Sequence, residues 1–390
     1  MTDREAYVAF NLTDNIGSVG VSRLVSVHGS PAAAWEAYPK KTSRSGGPID
    51  WDAEFALARR YGVEMLTIGD KGYPERLRNS PGAPLVLYVK GNVEALSAAS
   101  VAIVGTRRAT TYGKDQAYRF GRDLAAAGWC VLSGLALGID AESHRGALDA
   151  GGTTVGIIGS GLDRFYPEEN RALAREIVEK GGAVVSEFPF GRSPDVQTFP
   201  QRNHVVAALS SGVLAVECPV KSGTLLTTSF AADLGRPVMA LPGRVDSRSS
   251  AGCLNLIREG ARLVRCPADV IEELSALFAT GAKPGAEKEK EPAVSQSEFA
   301  ALAGEQDAKS AAAPEKPSRG EEIEKRAPLP PFSIEEAIVM RNVDAEGVSL
   351  DRLVEMTGLA PSKLNSIVMT LRLKGRLRFL PGNRVATPRE

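Results

Sequence analysis

Short apolar runs alternate with longer amphipathic stretches between about residues 84 and 270. Six of the runs are almost continuously apolar, rich in β-branched residues and bounded by glycine, which is typical of strands buried on both faces of a parallel sheet. They are VAIVG (101–105), WCVLSG (129–134), TTVGIIG (153–159), GAVVSE (182–187), VLAVEC (213–218) and RPVMALPG (236–243). The stretches between them have helical periodicity, and many end at the glycine expected after a helix. The alternation predicts a doubly wound, mostly parallel α/β sheet.

The flanks of this region predict smaller, separate domains around a core at 71–280. Residues 1–70 hold short helical patterns separated by Gly, Ser and Pro, which favour a small helical domain with helix-hairpin-helix or SAM-like turns. Residues 281–331 are rich in Ala, Glu, Lys, Pro and Ser and poor in large apolar side chains, which predicts a flexible linker. Residues 332–390 show three short helical patterns and then a hairpin, which is typical of a winged helix.

Composition excludes several classes of protein. The 390 residues are 43% hydrophobic, so the chain is not wholly disordered. Forty-seven basic residues balance forty-seven acidic ones, and a nucleic-acid site must therefore come from local segregation of charge. No run approaches the length of a membrane span, and the acids in MTDREAYVAF are unlike a secretory signal. We expect a cytoplasmic protein with no membrane attachment.

Cysteine and histidine spacing gives no support for a metal centre. The four cysteines are widely spaced and form no CxxC pair, which argues against both a zinc site and a disulfide framework. Only three histidines are present, which leaves little material for a histidine-based catalytic triad. The sequence indicates no metal and no cofactor.

Basic residues follow several of the predicted strands. In a doubly wound sheet the ligand lies beyond the carboxyl ends of the strands, so these positions are the candidate site. Any single basic loop residue is usually just solvated, but recurrence at successive strand ends predicts a positively charged rim. The rim comprises Thr106, Arg107 and Arg108, then Arg192 and Arg202, then the Lys221-Ser222-Gly223-Thr224 segment, and finally Arg244 and Arg248.

The segment KSGT at 221–224 predicts a phosphate site. It begins a helix, so free backbone N–H groups, the helix dipole, two hydroxyls and the Lys221 ammonium could converge on one anionic oxygen. A dinucleotide is a poor ligand, because the first turn reads GTRRATTYG rather than GxGxxG, and the spacing is not that of a P-loop. Aromatic residues beside phosphate-binding cations favour a single-stranded nucleic acid. The candidates are Tyr112, Phe165, Tyr166, Phe188, Phe190 and Phe199.

Specific motifs recur along the core between about Ser100 and Val264. They are the strings SVAIVGTRRATTYG, SGLALGIDAESHRGAL, GIIGSGLDRFYPEEN, SEFPFG, FPQRN and KSGTLLTTSFAADLGRPVMALPG. Together they closely resemble the DNA-processing protein family DprA, also called Smf. The resemblance implies a Rossmann-like core between a small helical N-terminal domain and a winged-helix C-terminal domain.

This resemblance also implies a non-enzymatic function. A family member is expected to bind single-stranded DNA during natural transformation, to protect the incoming strand, to load the recombinase RecA onto it, and to form a homodimer. The expected DNA-binding residues are Gly105, Thr106, Arg107, Arg108, Arg202, Asn203, Lys221, Ser222, Gly223, Thr224 and Arg244. The chain departs from the family pattern at His204, where an arginine is usual, and at Leu254, where an asparagine is usual.

An enzymatic alternative is a Rossmann-like nucleotide phosphoribohydrolase. Its PGGxGTxxE segment is vaguely similar to KSGTLLTTSF, but the required carboxylate would fall near Leu226 and Thr227, where the chain has none. The acids Asp140, Glu187 and Glu217 follow predicted strands, and we expect structural roles for them. Asp140 is predicted to cap the next helix, and the glutamates to pair with the cations of the rim.

The C-terminal segment is a second candidate for DNA contact. From Pro361 to Arg389 there are seven basic residues and no acidic residue, a segregation that suits a phosphate backbone. Winged helices also bind protein partners, and that alternative remains open. The predicted contacts are Lys363, Arg372, Lys374, Arg376 and Arg378.

Overall fold

The computed structural model describes most of the chain in two compact units, Met1–Ala293 and Val294–Glu390. The residues described are 1–14, 16–39, 42–43, 47–279, 334–344, 347–359, 364, 367–368, 371, 376–380 and 384–387. The predicted linker at 281–331 lies outside them. Within the described ranges no helix is both long and apolar enough to cross a bilayer.

One nine-stranded sheet organises the first unit, in the order β1-β2-β6-β5-β4-β3-β7-β8-β9. The seven strands from β6 to β9 in that order are parallel, while β1 and β2 add an antiparallel edge next to β6. The strands are β1 Glu64–Thr67, β2 Val86–Gly91, β3 Ser100–Val104, β4 Cys130–Ser133, β5 Thr154–Ile157, β6 Ala183–Ser186, β7 Gly212–Ala215, β8 Val238–Ala240 and β9 Arg262–Leu263. The six predicted parallel strands are confirmed as β3 to β8.

Helices cover both faces of this sheet. They are α1 Asp3–Leu12, α2 Ser18–His28, α3 Pro31–Ala37, α4 Trp51–Tyr61, α5 Glu75–Arg78, α6 Thr111–Ala126, α7 Ile139–Asp149, α8 Arg171–Glu179, α9 Thr198–Leu209, α10 Gly223–Asp233, α11 Ala251–Arg258 and α12 Pro267–Ala279. Apolar residues of α9 pack in one core with alternate strand residues, and those of α6 and α12 pack in another. A mostly parallel sheet with helices on both faces is the predicted doubly wound fold.

The order of the strands contains a switch point between β3 and β7. From β3 the chain winds outward through β4 and β5 to β6, and it then crosses back to β7 and winds outward in the other direction through β8 to β9. The loops that leave β3 and β7 therefore diverge, which opens a crevice at the carboxyl ends of these two strands. Among the predicted strand-end cations, Arg107 and Arg108 follow β3 and Lys221 follows β7.

The N-terminal helices pack on the antiparallel edge of the sheet. Phe10 and Trp35 lie in one apolar cluster with Tyr88 of β2, and their rings meet edge to face at 5.0 Å. The side chain of Glu54 in α4 accepts a hydrogen bond from the backbone N–H of Phe190, at 3.0 Å. These contacts join the helical segment to the loop that follows β6.

The second unit has the elements of the predicted winged helix. Its described part comprises α13 Ile334–Arg341, β10 Val348–Ser349, α14 Leu350–Thr357, β11 Arg378–Leu380 and β12 Arg384–Ala386. The strands form an antiparallel sheet in the order β10-β12-β11, so the predicted hairpin is present. Ser349 caps the start of α14, and Gly358 ends it with a left-handed backbone.

Candidate nucleic-acid interface

A cleft of about 370 Å³ lies at the switch point between β3 and β7. The residues that line it come from the loops after both strands, from the end of β4, and from α9 and α10. Ten of the eleven DNA-binding residues predicted for the core line this cleft, although they are far apart in sequence. They are Gly105, Thr106, Arg107, Arg108, Arg202, Asn203, Lys221, Ser222, Gly223 and Thr224.

The loop after β3 is held close to its neighbours. A Cβ atom on Gly105 would lie 2.4 Å from a side-chain carbon of Ile139, so a larger residue cannot occupy this position without displacement. The N–H of Thr106 donates to the Glu217 carbonyl oxygen at 2.7 Å, which ties the loop to the end of β7. The next two residues, Arg107 and Arg108, are exposed. A fixed backbone thus presents two cations at the mouth of the cleft.

Arg107 also borders an aromatic surface. Its guanidinium carbon lies 4.8 Å from the centroid of the Phe199 ring, and the Tyr166 ring lies 6.2 Å from that of Phe199. A second, smaller cavity of about 30 Å³ adjoins these rings and is also lined by Leu137 and Gly159. Cationic and aromatic groups therefore occupy neighbouring positions.

The other predicted aromatic residues lie elsewhere. Phe165 packs in an apolar cluster and against Arg171, Phe188 is buried, and Phe190 packs on Tyr61 and Tyr88. Tyr112 is exposed at the start of α6 and does not line the cleft. Of the six predicted aromatic candidates, Tyr166 and Phe199 are the two that border the basic loop.

The segment KSGT forms the start of α10, as predicted. Ser222 is the N-cap, and its hydroxyl oxygen accepts a hydrogen bond from the Thr224 N–H at 3.2 Å. The Asn203 side chain donates to the Gly223 carbonyl oxygen at 3.2 Å, which fixes this helix start to α9. Lys221 is exposed immediately before the cap. The partial positive charge of the helix start and the ammonium group of Lys221 face the same cleft.

Arg202 forms part of the wall of the cleft. It is 6% exposed, and its guanidinium donates to the carbonyl oxygens of Gly134 and, at 2.9 Å, Ile157. Burial lowers its pKa, and the nearby Asp140 carboxylate partly opposes that change. Because its donors are directed at the ends of β4 and β5, Arg202 fixes the shape of the cleft.

Asp140 does not cap α7, so that expectation is wrong. Gly138 is the N-cap, and Asp140 lies within the first turn of the helix. Its carboxylate accepts hydrogen bonds from the N–H groups of Gly134 at 3.1 Å and Ala136 at 3.3 Å. Burial raises the pKa of this carboxyl group, while Arg202 and the backbone donors oppose the rise. Asp140 and Arg202 together shape the turn that follows β4.

Glu217 braces the two loops of the cleft, a role that sequence reasoning missed. Its buried carboxylate accepts from the Thr110 N–H at 2.9 Å, from the Thr110 hydroxyl at 2.7 Å and from the Ser249 hydroxyl at 3.1 Å. Glu217 therefore pairs with hydroxyl and amide donors, and not with a cation of the rim as predicted. A carboxylate at the end of a buried strand signals that donors must be near, but the sequence does not identify them.

The remaining predicted positions lie away from the cleft, in the second unit or outside the described residues. Arg244 is exposed and paired with Asp246, with its two hydrogen bonds at 3.0 and 2.8 Å, and it does not line the cleft. His204, the first departure from the family pattern, packs edge to face on Phe230. The C-terminal candidates Lys363, Arg372 and Lys374 lie outside the described residues, as do the side-chain surroundings of Arg378. Arg376 is half-buried at the end of the winged-helix core, and C-terminal DNA contact stays a prediction.

The described residues contain no group of three or more His, Cys, Asp or Glu side chains arranged to hold a metal ion. Asp140, which lines the cleft, and Glu217, which follows β7, both accept the hydrogen bonds described above. Leu226 is half-exposed and Thr227 buried where a phosphoribohydrolase would need its acid.

Comparison with known proteins gives matches along most of the chain. Residues 64–275 match the family model of DNA recombination-mediator protein A, and residues 323–383 match that of the DprA winged helix domain. Protein Smf of Synechocystis sp. is 32% identical over 405 aligned residues, which cover 98% of each chain. DNA processing protein DprA of Bacillus subtilis is 37% identical over 56% of this chain and 74% of its own. The crystal structure of DprA from Streptococcus pneumoniae superposes with a TM-score of 0.58 and 31% identity, over 70% of this chain and 98% of that one.

Proposed function

The chain belongs to the DprA (Smf) family of DNA-processing proteins, and from this premise we propose that it binds single-stranded DNA in the cleft between β3 and β7. The observation that carries the proposal is the convergence of Arg107, Lys221 and the start of α10 on one cleft beside the Phe199 ring. A single strand offers phosphates and unstacked bases together. Cations and aromatic faces side by side match that chemistry.

Local charge supports this assignment although the whole chain is neutral. Arg107, Arg108 and Lys221 are exposed at the cleft. The acid that lines the cleft, Asp140, lies beside the buried guanidinium of Arg202 and accepts backbone hydrogen bonds. The surface that a ligand meets is therefore basic, which attracts a phosphate backbone without any need for base-specific contacts.

The wider role follows from the family resemblance. We propose that the protein is a cytoplasmic homodimer that protects incoming single-stranded DNA during natural transformation and loads the RecA recombinase onto it, without an enzymatic step. The names of its relatives, which refer to DNA processing and recombination mediation, support this role. The basic C-terminal segment, with Lys363, Arg372, Lys374, Arg376 and Arg378, is proposed as an additional DNA contact.

A binding titration tests the central proposal. Fluorescence anisotropy with a labelled single-stranded oligonucleotide, a second strand of different sequence and a matched duplex should show that both single strands bind more tightly than the duplex. The logarithm of affinity should fall with the logarithm of salt concentration by about 0.7 per phosphate contact. Equal binding of duplex and single strands by a chain that ends at Ala279, or affinity independent of salt, would contradict the proposal.

A parallel assay separates the enzymatic alternative. Purified protein should release no ribose phosphate from nucleoside monophosphates and should neither cleave DNA nor hydrolyse ATP. Turnover that survives repurification and is lost in a Lys221→Ala variant would assign the cleft to an enzyme.

A further inference from the structure

Two buried cysteines face each other next to a segment that lines the cleft, because Cys218 immediately precedes Pro219. Cys218 follows the end of β7 and precedes the segment that carries Lys221, while Cys253 lies in the first turn of α11. Their sulfur atoms are 3.8 Å apart. Both side chains are fully buried in a small apolar cluster with Ala215 and Ala240.

We propose that Cys218 and Cys253 are a modification site at which a peroxide forms a reversible disulfide bond, and that this bond weakens DNA binding at the adjacent cleft. The formation of the bond is independent of the function proposed above. Its effect on DNA rests on that function.

The backbone already holds the two thiols together. The N–H of Gly252 donates to the Cys218 carbonyl oxygen at 2.8 Å, and a Cβ atom on Gly252 would lie 2.6 Å from the Cys218 sulfur. A disulfide bond is about 2.05 Å long, so the sulfur atoms must approach each other by only about 1.8 Å. A rotation of the thiols with a small shift of the first turn of α11 supplies that distance.

The two thiols are chemically unequal. With the Cys218 thiol as the donor, its hydrogen bond lowers the pKa of Cys253, which therefore supplies the thiolate. The thiolate attacks one peroxide oxygen, forms a sulfenic acid and releases hydroxide, which takes up a proton to become water. The Cys218 sulfur then attacks the sulfenic sulfur, forms the disulfide and releases a second water. In total two thiols and one peroxide give one disulfide and two waters, a balanced transfer of two electrons.

The remaining cysteines provide internal comparisons. Burial raises the pKa of Cys130 to about 12, and its cluster contains no second cysteine. Cys266 is partly exposed. We therefore expect Cys130 to stay reduced, and Cys266 to report how far any oxidant has reacted with accessible thiols.

The bond would act on the cleft through short connections. Lys221 is three residues beyond Cys218, and Ser249, which donates to Glu217 at 3.1 Å, is four residues before Cys253. Glu217 in turn accepts the Thr106 N–H through its carbonyl oxygen. Drawing the cysteines together thus displaces both loops that present cations to the strand. We expect about tenfold weaker binding, the factor for the loss of about one hydrogen bond.

Peptide mapping of the full chain tests formation of the bond. Protein treated with hydrogen peroxide is unfolded in the presence of N-ethylmaleimide, digested and analysed by mass spectrometry. We expect a joined peptide pair that contains Cys218 and Cys253, that disappears on treatment with dithiothreitol, and that is absent from Cys218→Ser and Cys253→Ser. The matched control Cys130→Ser should still form it. Alkylation of both Cys218 and Cys253 after a peroxide dose that has oxidised Cys266 would overturn the proposal, as would their irreversible oxidation without a link.

Anisotropy on the same samples tests the effect on DNA. Oxidised protein should bind a single strand about tenfold more weakly and recover on reduction, whereas oxidised Cys218→Ser should bind like its reduced form. If the link forms and affinity is unchanged while Lys221→Ala weakens binding, the regulatory effect is wrong and the proposed function stands. If neither Lys221→Ala nor Arg107→Ala affects binding, the proposed function fails, and the mapping result still decides the disulfide.

Discussion

The guanidinium carbon of Arg107 lies 4.8 Å from the centre of the Phe199 ring. This contact joins the loop after β3 to the first turn of α9, the helix that crosses back from β6 to β7. A cation over an aromatic face is held in place by the ring, and the exposed part of each group remains available to a ligand. One phosphate and one base can therefore be bound by adjacent groups.

The first prediction concerns the coupling of these two residues. Arg107→Ala and Phe199→Ala should each weaken single-strand binding by about 1–3 kcal/mol, through loss of a charge-assisted contact or of a stacking surface. Because the side chains touch, the double variant should deviate from additivity by about 0.5–3 kcal/mol in a double-mutant cycle measured by anisotropy.

The matched control for this cycle is Arg119→Ala. Arg119 is half-exposed on α6 near Asp123, outside the residues that line the cleft. Its removal should leave affinity within about 0.5 kcal/mol of the unsubstituted protein. Strict additivity of Arg107→Ala and Phe199→Ala would show that the two residues do not bind the strand as a unit.

The second prediction separates phosphate contact from general charge. Lys221→Ala should weaken binding of every base sequence alike and lower the salt slope by about 0.7, because one phosphate contact is lost. Lys180→Ala removes an equal charge from the segment between α8 and the amino end of β6, where the lysine pairs with Glu176 at 2.8 Å. If both variants change the slope equally, the effect comes from net charge and not from the cleft.

The third prediction assigns Arg202 to the wall of the cleft. Arg202→Ala leaves the buried Asp140 carboxyl without its cation and two carbonyl groups without a donor, so it should lower the free energy of unfolding by about 3–5 kcal/mol in urea titrations. The double variant Arg202→Ala with Asp140→Asn also removes the unpaired buried carboxylate, so it should recover part of the lost free energy of unfolding. An Arg202→Ala protein of unchanged stability that has lost DNA affinity would instead make Arg202 a ligand contact.

The sequence predicted the parallel part of the sheet and the location of the site for a definite physical reason. Strands buried on both faces are apolar throughout, and the loops that follow such parallel strands lie at the same end of the sheet, so the sequence alone places Arg107 and Lys221 together. The sequence pattern did not predict the antiparallel strands β1 and β2. β1 is the edge strand and β2 lies between it and β6, and the N-terminal helices pack over residues of both strands in one apolar cluster.

Side-chain partners were less predictable than positions. Asp140, Glu217 and Arg202 each follow the strand-end pattern, but a buried polar group bonds whichever donors or acceptors the fold brings within about 3 Å. For Arg202 these are carbonyl groups, and for Glu217 they are hydroxyl and amide groups. Such hydrogen-bond partners depend on tertiary packing. The strand-end pattern therefore identified the segments that carry these three side chains but not the structural role of each side chain.

The fourth prediction concerns the boundary of the core. A chain that ends at Ala279 should fold cooperatively and retain single-strand binding, because the core clusters of the first unit are complete at α12. A chain that ends at Cys266 lacks Val270 and Leu274, which are fully buried in that core, and each should contribute about 1.5–3 kcal/mol. Thermal melting and anisotropy of both chains check this. Complete loss of binding by a cooperatively folded chain ending at Ala279 would place the main DNA contact in the winged helix.

The fifth prediction concerns His144, which lies fully buried in α7. The Thr154 hydroxyl donates to the Val131 carbonyl oxygen at 2.7 Å, so in the contact of 2.6 Å between that hydroxyl and His144 the ring Nδ1–H is the donor. Burial, with a smaller contribution from Arg145 and Arg202, lowers the pKa of His144 to about 3. In the folded protein the His144 ring therefore stays neutral at pH values where the same ring in the unfolded chain, with its ordinary pKa of about 6.5, has taken up a proton.

The sign of the pH dependence follows from this difference. Stability contributed by the neutral ring is fully present above about pH 6.5 and is lost as the pH falls toward 3, by up to about 1.4 kcal/mol per pH unit. Glutamine does not titrate, so the unfolding free energy of His144→Gln should fall less steeply between pH 6.5 and 5. At pH 7 that free energy should be lower than in the unsubstituted protein. His204→Gln should flatten the profile in the same direction, because burial also lowers the pKa of His204. Urea titrations at half-unit steps of pH measure both slopes, and a His144→Gln profile parallel to that of the unsubstituted protein would show that this buried ring does not govern the loss of stability in acid.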